Sequence, residues 1–186
     1  MSPYEVVGVA FGVLAVWLTV RENPWCWPTG LVNVGLFIVV FYQAKLYADM
    51  ALQVAYVVLC LYGWYQWLHG GVDHGALHVS RAPRSALAAL GAAGIAGGVA
   101  IGLLLRHATD ASLPYWDAGT ASFSLVAQAL QTRKWIECWL VWIVVDVVYV
   151  GMYLAKALYP TTGLYLVFLV LAALGWRQWT QSLTAR

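Results

Sequence analysis

Gly63-Trp64-Tyr65-Gln66-Trp67 and Gly175-Trp176-Arg177-Gln178-Trp179 carry one pattern, G-W-x-Q-W, at an offset of 112 residues. At the same offset Leu46-Tyr47 matches Leu158-Tyr159 and Leu52 matches Leu164. Trp27 matches Trp139, and aromatic Tyr56 matches aromatic Phe168. Shared interfacial tryptophan belts would explain the tryptophans but not one register kept across separated places. The chain is expected to contain an internal repeat.

The setting of that repeat follows from composition. Of 186 residues, 62% are hydrophobic and 10% are charged, and eleven are Trp and eleven Tyr. Mean hydropathy is +0.73. An ordinary soluble domain has about 25% charged residues and too little interior for so much apolar surface. An all-α membrane protein is expected. A water-soluble enzyme, a nucleic-acid-binding module and a disordered regulator are excluded. A net charge of +2 is too small for a phosphate-tracking surface.

A spanning helix needs about 20 mostly apolar residues. Prolines and charges divide the chain into Pro3–Val20, Pro28–Ala44, Asp49–Leu68, Ser85–Leu105, Asp117–Leu130, Trp135–Ala155 and Thr161–Gln181. Seven transmembrane helices are expected, the second and fifth looking short. All six prolines fall at ends or in loops, where a missing N–H costs little. The first hydrophobic stretch lacks a basic flank and a small-residue cleavage site, so it reads as a retained helix. With the repeat, the expected arrangement is three plus one plus three with parallel halves. Residues 1–68 form the first three-helix bundle, 69–84 a cytoplasmic loop, 85–106 a linker helix and 107–186 the second bundle. The linker carries Gly94, Gly98 and Gly102, a small-residue stripe for close packing within or between protomers.

With seven spans, one face would carry Lys45, Arg106 and Lys156. The other would carry Arg21, Arg81, Arg84, Arg133, Lys134, Arg177 and Arg186. The positive-inside rule places the second face in the cytoplasm, with the N-terminus outside and the C-terminus cytoplasmic.

Trp135, Trp139, Trp142, Asp146, Tyr149 and Tyr153 share one helical face. A carboxylate at mid-span should face protein or a polar cavity. Two readings of Asp146 stand: a transport-path residue, or a structural acid bonded to a Tyr or backbone group. The aromatic run reads as path lining, with simple core packing as its alternative. Asp117, Thr120, Ser124 and Gln128 share a polar face of the fifth segment, and Asn33 lies within the second. Trp64 lies on one side of the third with Gln53, Tyr56 and Cys60. Such a set suits a flat, polar, cationic molecule, since Trp faces attract cations and amides and hydroxyls select hydrogen-bonding groups. Phosphate is disfavoured, because no Arg or Lys occupies a mid-span position.

Cys26, Cys60 and Cys138 are isolated and read as buried hydrophobes. His74 and His78 read as solvated loop residues beside Asp73. No metal set, Ser–His–Asp arrangement or Walker lysine occurs, so neither a cofactor nor an ATPase activity is expected.

Three strings in the first half carry a resemblance: Glu22-Asn23-Pro24-Trp25-Cys26-Trp27-Pro28-Thr29-Gly30, Leu46-Tyr47-Ala48-Asp49 and Tyr62-Gly63-Trp64-Tyr65-Gln66-Trp67. The second half has Trp139-Leu140-Val141-Trp142 with Asp146 and Tyr149, then Lys156-Ala157-Leu158-Tyr159. Together they resemble the PnuC nicotinamide riboside transporters, from Glu5 to Trp179. The resemblance implies a bacterial inner-membrane protein with a SWEET-like fold. It implies a homotrimer of independent paths, and facilitated diffusion of the unphosphorylated vitamin, which a cytoplasmic nicotinamide riboside kinase then traps. It also implies that Trp139 and Trp142 are the WxxW pair at the substrate. Asn33, Gln128 and Thr120 are the candidates for carboxamide or ribose hydrogen bonds. Asp146, Tyr149 and Trp64 complete the expected substrate set, and Trp27 and Pro28 the expected gate. Thiamine, riboflavin or a small sugar is the alternative cargo. Membrane lipid is the expected surroundings, and nucleic acid is not an expected partner.

Overall fold

The computed structural model describes residues 3–43, 45, 47–108 and 114–185, with the side chains of 47, 48, 108 and 114 left aside. Ala44 and Leu46, at the expected end of the second segment and in the Leu46-Tyr47 match, lie outside the described residues. Seven α-helices form: α1 (Pro3–Val20), α2 (Cys26–Gln43), α3 (Tyr47–His69), α4 (Arg84–Ala108), α5 (Pro114–Thr132), α6 (Cys138–Ala155) and α7 (Tyr159–Thr184). Pro3 opens α1 and Pro114 opens α5, while Pro28 and Pro160 lie in the first turns of α2 and α7. A first-turn N–H has no partner within its helix, so proline is tolerated there.

The 112-residue offset extends to the helix boundaries. α1 ends at Val20 and α5 at Thr132; α2 starts at Cys26 and α6 at Cys138; α3 starts at Tyr47 and α7 at Tyr159. The local reason is a repeated stop signal. After α1, Asn23 N–H donates to Leu18 C=O (3.0 Å) and Glu22 N–H to Thr19 C=O (2.9 Å), with Glu22 at φ 55°. That is the Schellman ending, with a left-handed residue just past the helix. After α6, Leu158 N–H donates to Tyr153 C=O (2.9 Å) and Ala157 N–H to Leu154 C=O (3.0 Å), with Ala157 at φ 55°. Lys134 (φ 50°) and Lys45 (φ 57°) are the counterparts of Glu22 and Ala157. The helix starts repeat too. Cys26 and Trp27 donate to Asn23 and Pro24 C=O, and Cys138 and Trp139 donate to Trp135 and Ile136 C=O.

The expectation of seven transmembrane helices requires correction. Five helices, α1, α2, α4, α6 and α7, are long and apolar enough to cross a membrane. α3 and α5, at 23 and 19 residues, are long but not apolar enough. α3 carries Asp49, Gln53, Gln66 and His69 among its Tyr and Trp residues. α5 carries its polar groups inward: Thr120, Ser122, Ser124, Gln131 and Thr132 are all buried. α6 also starts three residues later than expected, so Trp135 lies outside the helix. There Ile136 N–H donates to Ser80 C=O at 3.0 Å.

The chain forms two compact units. Unit 1 comprises Met1–Val79, Thr132–Lys134 and Arg177–Arg186; unit 2 comprises Ser80–Gln131 and Trp135–Trp176. In unit 1, α1 packs on α2 and α2 on α3. Asn33 on α2 donates to Gly8 C=O on α1 at 2.7 Å. Trp179 Nε1 donates to Thr19 C=O at 3.1 Å, and the Trp67 and Trp179 rings lie 5.9 Å apart. Lys134 Nζ lies 3.5 Å from Glu22 Oε2 and 4.4 Å from the centre of the Trp67 ring. Ser182 Oγ donates to Glu22 Oε1 at 2.5 Å.

In unit 2, α4 spends its small-residue stripe on α5. Ser122 Oγ donates to Gly94 C=O at 2.8 Å, and a Cβ at Gly98 would lie 3.5 Å from the Gly119 backbone. Glu137 accepts the Ala82 N–H at 2.9 Å, which ties the segment before α4 to the start of α6.

Candidate functional site

Each unit contains a tryptophan seated on a glycine. Trp27 lies against Gly63 in unit 1 and Trp139 against Gly175 in unit 2, and both tryptophans are 1% exposed. A Cβ at Gly175 would come within 2.5 Å of the Trp139 ring, and one at Gly63 would run into the Trp27 ring. Only glycine permits so close an approach. Helix association in lipid depends on such packing, because lipid tails are as apolar as the side chains. The GWxQW repeat thus supplies the glycine of each pair. Trp27 also meets Trp67 edge-on at 5.4 Å, and its Nε1–H finds no acceptor among the described residues.

Unit 2 brings the polar face of α5 to the aromatic face of α6. The Tyr149 hydroxyl is within hydrogen-bonding reach of Thr120 and Ser124. Thr120 also donates to its own helix, at Trp116 C=O (2.9 Å) and Asp117 C=O (3.0 Å). Trp142 is half-buried, and its Nε1 donates to Gln131 Oε1 at 3.1 Å. Gln131 therefore holds the indole, a role the sequence reading did not assign. The signal was present, because Gln131 extends the spacing Asp117, Thr120, Ser124, Gln128 by three more residues. Gln128 is half-buried on the same helix.

One turn beyond Trp142, Asp146 is 4% exposed. Three tyrosines of α6 and α7 form a cluster, Tyr149 lying one turn on from Asp146. Tyr149 and Tyr165 have ring centres 4.6 Å apart, Tyr153 and Tyr165 5.2 Å, and Tyr149 and Tyr153 5.7 Å. Asp146 is close enough to interact electrostatically with Tyr149 and Tyr165. A carboxylate at the centre of a spanning helix costs about 2.5–3.5 kcal/mol on insertion scales, which a structural role would have to offset.

The expected site residues divide between the units. Trp139, Trp142, Gln128, Thr120, Asp146 and Tyr149 belong to unit 2; Asn33, Trp64, Trp27 and Pro28 belong to unit 1. Trp64 on α3 is 36% exposed, and the Asn33 amide donates to Gly8 C=O. An apolar groove of about 360 Å³ lies elsewhere on unit 2, lined by Trp116, Val147, Val148, Gly151, Met152 and Ala155. Among the described residues no three His, Cys, Asp or Glu side chains could hold a metal ion.

Membrane-crossing helices with an aromatic, hydroxyl and carboxylate surface among them are the construction of a transport protein for a small organic solute. The chain belongs to the family described as Nicotinamide mononucleotide transporter, whose model matches residues 2–181. It is a multi-pass transport protein of the bacterial inner membrane, not an enzyme. It is 28% identical to the nicotinamide riboside transporter PnuC of Escherichia coli K12, over all of this chain and 88% of that protein. It is 29% identical to the riboflavin/roseoflavin transporter RibM of Streptomyces davaonensis, over 94% of this chain and 83% of that one. A crystal structure of the vitamin B3 transporter PnuC superposes with a TM-score of 0.76 and 24% identity, covering 98% of this chain and 82% of that one. The fold is therefore that of PnuC, and the expected SWEET-like fold is corrected accordingly.

Proposed function

We propose that this protein carries nicotinamide riboside into the cytoplasm by facilitated diffusion of the unphosphorylated vitamin. The observation that carries the reading is the end-to-end match to a nicotinamide riboside transporter, whose alignment spans the whole chain. The surface in unit 2 supports it chemically. Indole and phenol rings suit a flat cationic pyridinium, while hydroxyl and amide groups suit a ribose and a carboxamide. Trp139, Trp142, Thr120, Gln128, Tyr149 and Asp146 are the residues we assign to the substrate there, and Trp27 and Pro28 act in gating.

The segments bearing Arg21, Arg133, Lys134 and Arg177 meet in unit 1 through Glu22, Lys134, Trp179 and Ser182. We assign this basic face to the cytoplasm, so the N-terminus lies outside. The protein assembles as a homotrimer, and a cytoplasmic nicotinamide riboside kinase consumes the product and keeps the gradient inward. Light scattering of the detergent-solubilised protein tests the trimer.

Riboflavin is the second reading, favoured by the similarity to RibM. Uptake into proteoliposomes decides between them. Saturable uptake of nicotinamide riboside, unaffected by excess riboflavin or thiamine, is expected. Saturable uptake of riboflavin alone would overturn the assignment.

A further inference from the structure

We infer that Asp146 is the charge-selecting residue of the transport path, recognising the positive charge of its substrate. The inference rests on the substrate reading above. Asp146 is the ninth of eighteen residues in α6. The other described acidic residues lie elsewhere: Glu5, Asp49 and Asp117 in first turns, and Glu22, Asp73 and Glu137 outside the α-helices.

The acids with structural roles show what a satisfied carboxylate looks like in this protein. Glu22 accepts from Lys134 and Ser182, and Glu137 accepts from the Ala82 backbone. Asp146 is more buried than Glu22, yet no described residue donates a hydrogen bond to it or pairs with it as a cation. Its electrostatic neighbours are aromatic: Tyr149, one turn on along the same face of α6, and Tyr165, whose rings meet each other and Tyr153. Electron-rich rings beside an unpaired carboxylate form an environment for an organic cation without a strongly hydrated head. An acid placed to hold α6 in position would have a donor from a neighbouring helix. An acid placed to meet a passing cation would not. A pyridinium has no N–H on its charged nitrogen, so it takes its stabilisation from a nearby negative charge and ring faces.

Charge can be varied without changing shape. The 1,4-dihydro form of nicotinamide riboside is neutral and almost isosteric with the oxidised cation. Binding of both forms to the purified full-length protein is compared for the unchanged chain, Asp146→Asn and Asp146→Glu. The unchanged chain is expected to prefer the cation by about ten- to a hundredfold, the range of a charge-assisted contact. Asp146→Asn should lose most of that preference by weakening the cation alone, and Asp146→Glu should keep part of it. Equal losses for both forms in Asp146→Asn, with an unchanged ratio, would mean a structural acid and overturn the inference. Equal affinity of the unchanged chain for both forms would overturn the inference alone. If the unchanged chain binds neither form, the substrate reading fails and this inference with it.

Discussion

Glu22 and Lys134 are each other's counterparts in the repeat, and they pair with one another: Lys134 Nζ lies 3.5 Å from Glu22 Oε2. Both residues sit in the left-handed backbone region, one just past α1 and the other just past α5. Lys134 is almost fully buried, with its ammonium also over the Trp67 ring. Removing Glu22 would take away the carboxylate that this ammonium meets at 3.5 Å. Glu22→Ala is expected to cost about 3 kcal/mol, the low end for breaking a buried pair, because Glu22 itself is partly exposed. The double exchange Glu22→Lys with Lys134→Glu should recover at least half of the loss. Thermal unfolding of the solubilised protein measures both; no recovery in the double variant would mean that Lys134 depends on its other contacts.

Ala157 occupies the same left-handed position after α6 but makes no comparable side-chain contact, and it is exposed. A non-glycine residue there costs roughly 1–2 kcal/mol of backbone strain. Ala157→Gly is therefore expected to raise stability by about 0.5–1 kcal/mol, after the greater unfolded-state freedom of glycine is subtracted. An unchanged or lowered midpoint would argue against the strain. Glu22→Gly, which relieves the same strain but breaks the ion pair, should still destabilise.

The tryptophan–glycine pairs give a matched test of the two units. Gly175→Ala places a methyl group within 2.5 Å of the Trp139 ring, so the ring must shift. Overpacking of this kind costs about 1–3 kcal/mol. Gly63→Ala against Trp27 should cost a similar amount. Gly151→Ala, where no atom lies within 4 Å of the added Cβ, should be neutral. Unfolding midpoints of the three variants compare them directly, and equal effects would show that the close tryptophan–glycine approach does not matter.

Much of the fold is legible in the sequence, and the reasons are local. Proline and charge punctuation mark helix ends, so the segments fell within a few residues of α1 to α7. The G-W-x-Q-W repeat was visible, but its purpose was not. Its conspicuous letters are tryptophans, while its least conspicuous one, the glycine, receives a tryptophan from an earlier helix. Helix length alone overstates crossings, because a helix buried in protein can be long without being apolar, and α5 is the example. The partner of the α4 glycine stripe was equally hidden, since small residues state that something comes close but not what. Trp142 is conspicuous in the sequence and Gln131 is not, because their pairing depends on how α5 meets α6 after a tight turn.

The stripe now has a defined partner. A Cβ at Gly98 meets the Gly119 backbone at 3.5 Å and Ser122 Cβ at 3.8 Å, which is ordinary contact. Gly98→Ala is therefore expected to be nearly neutral. Gly98→Leu extends into the α5 surface and should cost about 1–3 kcal/mol. If Gly98→Leu instead left the monomer's stability intact and only changed the oligomer, the stripe would serve assembly rather than the α4–α5 contact.

Trp139 and Trp142 differ in their surroundings, so their variants should differ in kind. Trp139 is sealed against Gly175, and truncating a large buried ring costs about 3–5 kcal/mol, so Trp139→Ala should lower the unfolding midpoint as well as binding. Trp142 is only half-buried, and its indole is held by one hydrogen bond to Gln131. Trp142→Phe keeps an aromatic face but removes the N–H, and Gln131 then loses one partner in a buried setting. A loss of about 1 kcal/mol, or roughly fivefold in affinity if the indole orients the substrate, is expected from one neutral hydrogen bond. Gln131→Leu should reproduce the affinity loss, because it frees the same indole without touching the ring. Substrate affinity by calorimetry and the unfolding midpoint separate these outcomes. If Gln131→Leu weakens binding while Trp142→Phe does not, Gln131 acts on the substrate itself rather than through the tryptophan.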